Sequence, residues 1–166
     1  MAEKIQLSKS DRQKVWWRSQ FLQGSWNYER MQASGYLYMI LPQLRKMYGD
    51  GTPELKEMMK VHTQFFNTSP FFHTIIAGFD LAMEEKDGVG SKDAVNGIKT
   101  GLMGPVAGIG DTIIWGTLKP IILALGCTFA MQGQALGAFI PYLFPIFGYL
   151  IGWYCLTFGY KVGKDS

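Results

Sequence analysis

The chain has 166 residues, of which 48% are hydrophobic, and its formal net charge is +3. This length is sufficient for one domain with a buried core. The basic residues are scattered among acids and aromatics and form no dense stripe, so we expect no nucleic-acid partner. The charged residues are unevenly distributed, and residues 120–160 contain none. That run is long enough for two short membrane crossings, or for one crossing and a re-entrant segment.

Residues 8–32 have helical periodicity, with Ser8 or Ser10 as the cap. Val15 and Leu22 share one face of this predicted helix, while Trp17 and several cations lie beside it. The pattern is typical of a helix in a membrane interface. It also fits an ordinary amphipathic helix that packs on its own domain, and both interpretations stay open.

The middle of the chain predicts short helices with clear starts. An apolar segment over 34–41 ends at Pro42, and Thr52 before Pro53 is a favourable N-cap. Ser69 before Pro70 predicts a further helix, which is apolar on most sides except at Asp80 and ends at 84–88. Such a helix is either buried in protein or dips partway into the membrane.

A glycine-rich stretch over 101–112 ends in Asp111. It lacks the Gly-Lys-Ser/Thr of a phosphate-binding loop, so we expect no nucleotide there. After a polar, flexible connection over 88–99, the stretch predicts a hinge, with Asp111 or Thr112 capping the next helix. Lys119-Pro120 predicts a kink in that helix.

Residues 67–69 place an amide and two hydroxyls between apolar helices, with phenylalanines on both sides. Breaks between membrane-buried helices make polar sites for small solutes such as sugars. A plain turn with satisfied caps explains the same residues. His62 and His73 have no cysteine or carboxylate at the spacing of metal ligands. Glu84 is predicted to belong to a solvated helix end. No catalytic group, metal or cofactor is expected.

Five blocks of sequence together resemble a known family. They are residues 16–32 (Trp-Trp-Arg-Ser-Gln-Phe-Leu-Gln-Gly-Ser-Trp-Asn-Tyr-Glu-Arg-Met-Gln), 62–70, 82–85, 101–120 and 159–163 (Gly-Tyr-Lys-Val-Gly). Their order and spacing resemble the IID component of mannose-family phosphotransferase-system (PTS) permeases. Family members continue past the last block, so the resemblance implies a short or truncated form.

The resemblance implies a subunit of the bacterial cytoplasmic (inner) membrane. Lys99 before the apolar segments and Lys161 after them predict that both ends, and with them the N-terminus, face the cytoplasm. It implies a IIC membrane subunit and IIAB phosphocarriers as partners, a hexose of the mannose or glucose class as substrate, and contact with membrane lipid. A hetero-oligomer with homo-oligomeric assembly is expected. The subunit itself carries no phosphoryl group, so it is expected not to be an enzyme.

We therefore predict an all-α membrane protein in which amphipathic cytoplasmic or interfacial helices precede broken or re-entrant membrane helices. Residues 1–100 are predicted to form an amphipathic region with a buried or partly inserted hairpin. Residues 101–166 are predicted to form the glycine-rich hinge and the membrane-embedded helices. The predicted substrate-binding residues are Gln64, Asn67, Thr68, Ser69 and Asp111. The alternative is a membrane-surface scaffold or receptor subunit that transports nothing.

Overall fold

The computed structural model describes residues 5–166 as helices joined by short turns. A π-helix, Asp111–Leu118, joins the helix before it directly to the helix after it, so 92–131 is one continuous helical stretch. Residues 5–166 contain isolated β-bridges but no strand, which confirms the all-α class. The first four residues of the predicted region 1–100 lie outside the described residues. The helices are α1 (Lys9–Arg18), α2 (Ala33–Tyr48), α3 (Pro53–His62), α4 (His73–Asp87), α5 (Lys92–Gly110), α6 (Lys119–Met131), α7 (Leu136–Phe139) and α8 (Leu143–Asp165).

Two helices begin at side-chain caps that the sequence predicts. The Ser8 hydroxyl accepts from the Asp11 backbone N–H, and the Asp11 carboxylate accepts from the Ser8 N–H, which completes a capping box. The Thr52 hydroxyl accepts from the Leu55 N–H, and Pro53 is the first helical residue. Both predicted caps are confirmed.

Other predicted boundaries in the first half are wrong. The helix predicted over 8–32 ends at Arg18 and passes through a short 3-10 segment, Ser19–Phe21, into turns. Pro42 does not end α2, because buried Met39 and Leu44 hold the helix against the core on both sides of it. Tertiary burial outweighs the hydrogen bond that a proline removes.

Ser69-Pro70 does not start α4, which begins at His73 without a side-chain cap. Ser69 is instead buried where the chain contacts Gly110, and a Cβ on that glycine would overlap the serine hydroxyl. The helix start is therefore set by packing between distant segments and not by local capping.

The connection predicted over 88–99 and the cap predicted at Asp111 or Thr112 are also wrong. A short 3-10 segment, Gly88–Ser91, leads directly into α5, and the helix continues through Asp111. Glycine tolerates a helix when other residues of that helix are buried, and Leu102 and Val106 pack against the core. The predicted boundary at 100/101 falls inside α5, and the division into two regions stays a prediction.

α4 is a buried helix that packs chiefly along α8. Glycines on both helices allow this approach: a Cβ on Gly78 would lie 2.5 Å from the Tyr160 backbone nitrogen, and one on Gly159 would overlap the Ile75 backbone. The Thr74 hydroxyl also donates to the Gly152 carbonyl at 2.8 Å. Of the two predicted settings for this helix, the structure shows burial in protein.

Two helical stretches have the length and composition to cross a bilayer. They are 73–131 and 136–165, and only 11% of the most apolar 18-residue window in each is buried within the chain. A core helix of a soluble protein would be mostly buried, so these apolar faces are available to lipid or to another subunit. Exposed side chains on them include Ile109, Ile113, Ile121, Leu125, Phe139, Ile146 and Leu150.

Candidate functional site

The polar turn between α3 and α4, residues 63–72, is held in place by Gln32. The Gln32 side-chain amide donates to the Thr68 carbonyl and accepts from the Thr68 N–H, both at 3.0 Å in the buried interior. The Gln32 N–H also donates to the Phe66 carbonyl at 2.8 Å. The preceding residue, Met31, has φ 54°, an uncommon value that turns the chain into α2 beside this segment. We call this arrangement the Gln32 clamp.

Two of the five predicted binding residues are buried inside the protein. The Thr68 hydroxyl donates to the Met103 carbonyl at 2.9 Å, which ties the turn to α5. The Ser69 hydroxyl is buried without a hydrogen-bond partner among the described residues and lies against Gly110. These side chains connect the turn to the α5–π-helix junction and face no open surface.

The other three predicted residues, Gln64, Asn67 and Asp111, are exposed. Their side chains make no hydrogen bond or ion pair with any part of the chain that the structure describes. Asp111 is the first residue of the π-helix and directly follows Gly110, which contacts Ser69. Wide π turns of this kind occur often at functional sites. The structure thus divides the predicted set into an exposed group of three and a buried pair.

Aromatic side chains accompany the turn. Phe71 meets Trp115 of the π-helix edge to face at 5.9 Å and Phe144 of α8 at 5.1 Å, measured between ring centroids. Phe66 is buried against Tyr36, whereas Phe65 is exposed. The phenylalanines that the sequence places beside the turn therefore lie partly in the interior and partly on the surface.

A cluster of ionisable side chains lies in the interior, where the sequence predicts none. His62 Nε2 is 2.6 Å from Glu84 Oε1, and the Tyr48 hydroxyl donates to the other Glu84 oxygen at 2.7 Å. The Lys99 ammonium lies 3.4 Å from His62 Nδ1. The prediction that Glu84 belongs to a solvated helix end is wrong, since its side chain is fully buried. This buried ionisable cluster comprises Tyr36, His62, Asp80, Glu84 and Lys99, with the partly buried Tyr48 at its edge.

One sequence signal points to this cluster. Asp80 and Glu84 are four residues apart on an apolar helix, which places both carboxylates on one face. Their partners come from α2, α3 and α5, and no local pattern identifies them. The Tyr36 hydroxyl, for example, donates to Asp80 from a helix more than forty residues away in sequence.

Burial sets the protonation of the cluster members on α2 and α3. It raises the pKa of Tyr36, and the nearby Asp80 carboxylate raises it further. Burial and Glu84 likewise raise the pKa of Tyr48. The pKa of His62 is lowered by burial, which Glu84 opposes and Lys99 reinforces. The tyrosines therefore remain hydrogen-bond donors, and a neutral His62 donates through Nε2 to the carboxylate.

Two apolar helical stretches with exposed faces, one of which contains a π-helix, are typical of a helical membrane protein. The chain belongs to the mannose/fructose/sorbose family of PTS IID components, whose sequence profile matches residues 6–166.

Relatives and a solved structure agree with this assignment. The chain is 42% identical over 163 residues to the mannose-specific EIID component of Escherichia coli (strain K12), covering 96% of this chain. It is 38% identical over 170 residues to the fructose permease IID component of Bacillus subtilis (strain 168), covering 99% of this chain. It spans 58% and 61% of the lengths of those two relatives.

The fold matches a chain in the cryo-EM structure of the mannose transporter ManYZ and microcin E492 complex. The TM-score is 0.92 at 42% identity, covering 96% of this chain and 60% of that one. The family resemblance and the membrane class predicted from the sequence are confirmed.

Proposed function

We propose that the chain acts as the IID subunit of a mannose-type PTS permease and moves a hexose across the membrane together with a IIC subunit. The IIAB components phosphorylate the sugar as it arrives. The proposal rests on one arrangement. A clamped polar turn breaks the helices just before the first apolar stretch, packs on both stretches through Phe71, and leaves the Gln64 and Asn67 side chains without a partner among residues 5–166. Polar groups at such breaks are available to a solute inside a membrane. The names of relatives, mannose-specific EIID and fructose permease IID, support a hexose.

Within the predicted binding set, the exposed and buried residues have different roles. Gln64, Asn67 and Asp111 contact sugar hydroxyls, because their side chains are exposed and uncommitted. Thr68 and Ser69 position the turn through α5 and Gly110. Amides and a carboxylate provide both donors and acceptors for a polyhydroxylated ligand.

The subunit carries no phosphoryl group and is not itself an enzyme. His62 is fully buried with Nε2 beside Glu84, and His73 is 2% exposed. A soluble phosphocarrier needs access to an imidazole nitrogen to transfer a phosphoryl group. Burial of both rings supports phosphorylation of the sugar by IIAB alone.

The chain belongs in the bacterial inner membrane, with its N-terminus in the cytoplasm. The exposed apolar faces of α5, α6 and α8 contact lipid and the IIC subunit in a hetero-oligomer with homo-oligomeric assembly.

An alternative function is a receptor or membrane-surface scaffold without transport. The receptor alternative has one specific support, since the solved relative lies in a complex that includes microcin E492.

Uptake of labelled mannose tests the proposal in a strain that lacks its own mannose permease and expresses this subunit with its IIC and IIAB partners. Asn67→Ala and Gln64→Ala are expected to raise the KM for uptake about tenfold, the effect of losing one ligand hydrogen bond. Asn96→Ala and Gln13→Ala are the matched controls, because neither residue belongs to the turn.

Membrane abundance of each variant is measured by immunoblot. Uptake that does not depend on the subunit would refute the transport function and favour the scaffold or receptor. Unchanged kinetics in both turn variants would refute the assigned sugar contacts.

A further inference from the structure

A groove of about 420 Å³ lies on the surface between α1 and α2. The core side of α1 is occupied by the fully buried Val15, so the groove lies on a side of the helix that does not pack in the core. The residues that line the groove are Ser10, Gln13, Lys14, Trp17, Arg18 and Pro42. One side of α1 thus packs on the domain, while the groove side is open to a ligand.

Two cations border the groove without an anionic partner. The Lys14 side chain is exposed and makes no hydrogen bond or ion pair with the residues that the structure describes. The Arg18 guanidinium lies over the Tyr38 ring at 3.8 Å and pairs with no carboxylate among residues 5–166. None of the described lining residues is acidic. The groove therefore presents two uncompensated positive charges, which favour an anionic ligand.

A row of exposed aromatic rings accompanies these cations. Trp17 is 60% exposed, and its ring centroid lies 6.5 Å from that of Phe21. The Phe21 centroid lies 6.1 Å from that of Tyr38, on which the Arg18 guanidinium stacks. Exposed aromatic rings beside lysine and arginine are typical of the headgroup level of a bilayer. A ligand with an anionic group and an apolar part matches both the cations and the rings.

Contacts with α8 place α1 beside a membrane-type helix. Trp16 stacks on Tyr149 of α8 at 3.9 Å, and its Nε1 donates to the Tyr149 carbonyl at 2.6 Å. The Arg12 guanidinium lies 4.5 Å from the centre of the Tyr160 ring, and the next residue, Lys161, is the first charged residue after the uncharged run. The first cation after an apolar helix marks the membrane surface. The groove on α1 therefore lies close to this boundary.

We propose that this groove binds an anionic phospholipid of the bilayer, with the lipid phosphate between Lys14 and Arg18 and an acyl chain along Trp17 and Pro42. The proposal rests on the membrane location of the chain and not on sugar transport. A zwitterionic phospholipid is disfavoured, because its ammonium group brings a third positive charge to the two cations. The predicted cytoplasmic orientation of this end agrees with such a ligand, since the cytoplasmic leaflet contains anionic lipids.

Quenching of Trp17 fluorescence tests the proposal at the groove itself. The full chain, in complex with its IIC partner, is reconstituted in phosphatidylcholine nanodiscs with an increasing mole fraction of brominated phosphatidylglycerol or of brominated phosphatidylcholine. Bromine quenches tryptophan only at close range, and the contribution of Trp17 is the difference between the wild type and Trp17→Phe. We expect half-maximal quenching at a mole fraction at least tenfold lower for phosphatidylglycerol than for phosphatidylcholine.

Charge variants assign the preference to the groove. Lys14→Gln is expected to lower the preference about fivefold, and Lys14→Gln/Arg18→Gln to abolish it. Lys14 touches no described partner, so the single variant remains informative even where loss of the contact between Arg18 and Tyr38 disturbs folding. The matched control is Lys56→Gln/Lys60→Gln, which removes two exposed charges of α3 outside the groove and leaves the preference unchanged.

Equal quenching by the two lipids in the wild type overturns the proposal, as does a preference that survives in Lys14→Gln/Arg18→Gln. An equal loss of preference in the control pair also overturns it, because overall charge then attracts the lipid. A Trp17 that neither lipid quenches shows that an acidic segment of another subunit occupies the groove instead. Since no sugar is present, each of these results leaves the proposed transport function standing.

Discussion

His62 and Glu84 form a fully buried pair, with 2.6 Å between His62 Nε2 and Glu84 Oε1. The second Glu84 oxygen accepts from the Tyr48 hydroxyl at 2.7 Å. A single carboxylate on α4 thus holds the ends of both α2 and α3. Because His62 and Glu84 are fully buried and Tyr48 is partly buried, water cannot easily replace the hydrogen bond between His62 and Glu84.

Removing this carboxylate is expected to destabilise the protein strongly. Glu84→Ala leaves the Tyr48 hydroxyl and the His62 ring without their acceptor, and we expect a loss of about 3–5 kcal/mol of unfolding free energy. Denaturant titration of the purified protein, followed by tryptophan fluorescence, measures the loss. Glu57→Ala is the control, because Glu57 pairs with Lys92 on the exposed surface and its removal has little effect. Equal losses in the two variants would contradict the assigned role of Glu84.

Stability is expected to fall as the pH drops from about 7 to about 5. The unfolded chain protonates His62 near pH 6.5, whereas burial lowers the pKa of His62 in the folded state. Below pH 6.5 the unfolded state therefore binds more protons, and the unfolding free energy decreases with decreasing pH. Denaturant titrations across this range should show a smaller pH slope in His62→Gln than in the wild type. The same slope in both proteins would mean that His62 ionises equally well when folded.

Alanine substitution at two helical glycines is expected to change the free energy of unfolding in opposite directions. Gly78→Ala forces α4 and α8 apart and costs about 1–3 kcal/mol, because the new Cβ would lie 2.5 Å from the Tyr160 nitrogen. Gly101→Ala meets nothing within 4 Å and stabilises helix α5 by about 0.5–1 kcal/mol. Thermal unfolding of both variants measures the difference. A stabilised Gly78→Ala protein would show that the helices do not pack this closely.

Loss of the Gln32 clamp is expected to loosen the polar turn without unfolding the protein. Gln32→Leu removes both side-chain hydrogen bonds to Thr68, so we expect amide exchange at Thr68 to accelerate about 10- to 100-fold. Hydrogen exchange followed by mass spectrometry over 63–72 measures this change. Gln43→Leu is the matched control, since it breaks another buried glutamine bond, to the Asp11 carbonyl, outside the turn. Equal exchange in the two variants would show that Gln32 does not hold the turn.

The sequence predicts those parts of the fold that depend on local chemistry. Ser8 and Thr52 mark helix starts because a cap needs only its own next three residues. The uncharged run over 120–160 identifies membrane-type helices because composition alone carries that signal.

Boundaries set by distant packing could not be predicted. Pro42 lies inside α2 because residues on either side of it are buried, and Ser69 fails to cap because it contacts Gly110. The glycine stretch favours a hinge by composition, yet glycine also permits the helix that tertiary contacts select.

For the candidate site, the sequence finds Gln64, Asn67 and Asp111 as uncommitted polar residues, and their role in sugar binding stays a prediction. It misses most of the buried ionisable cluster, because the partners of Asp80 and Glu84 come from α2, α3 and α5.

The close contact between α4 and α8 limits how this protein can move. Gly78 of α4 lies against Leu156 and Tyr160 of α8, and Gly163 of α8 packs on Phe79 of α4. The backbones of the two helices are therefore in direct contact at both glycines. Sliding or rotating one helix past the other would drive side chains into main-chain atoms. The two helices are therefore expected to move as a single rigid unit, so that any conformational change of this chain occurs outside the α4–α8 pair.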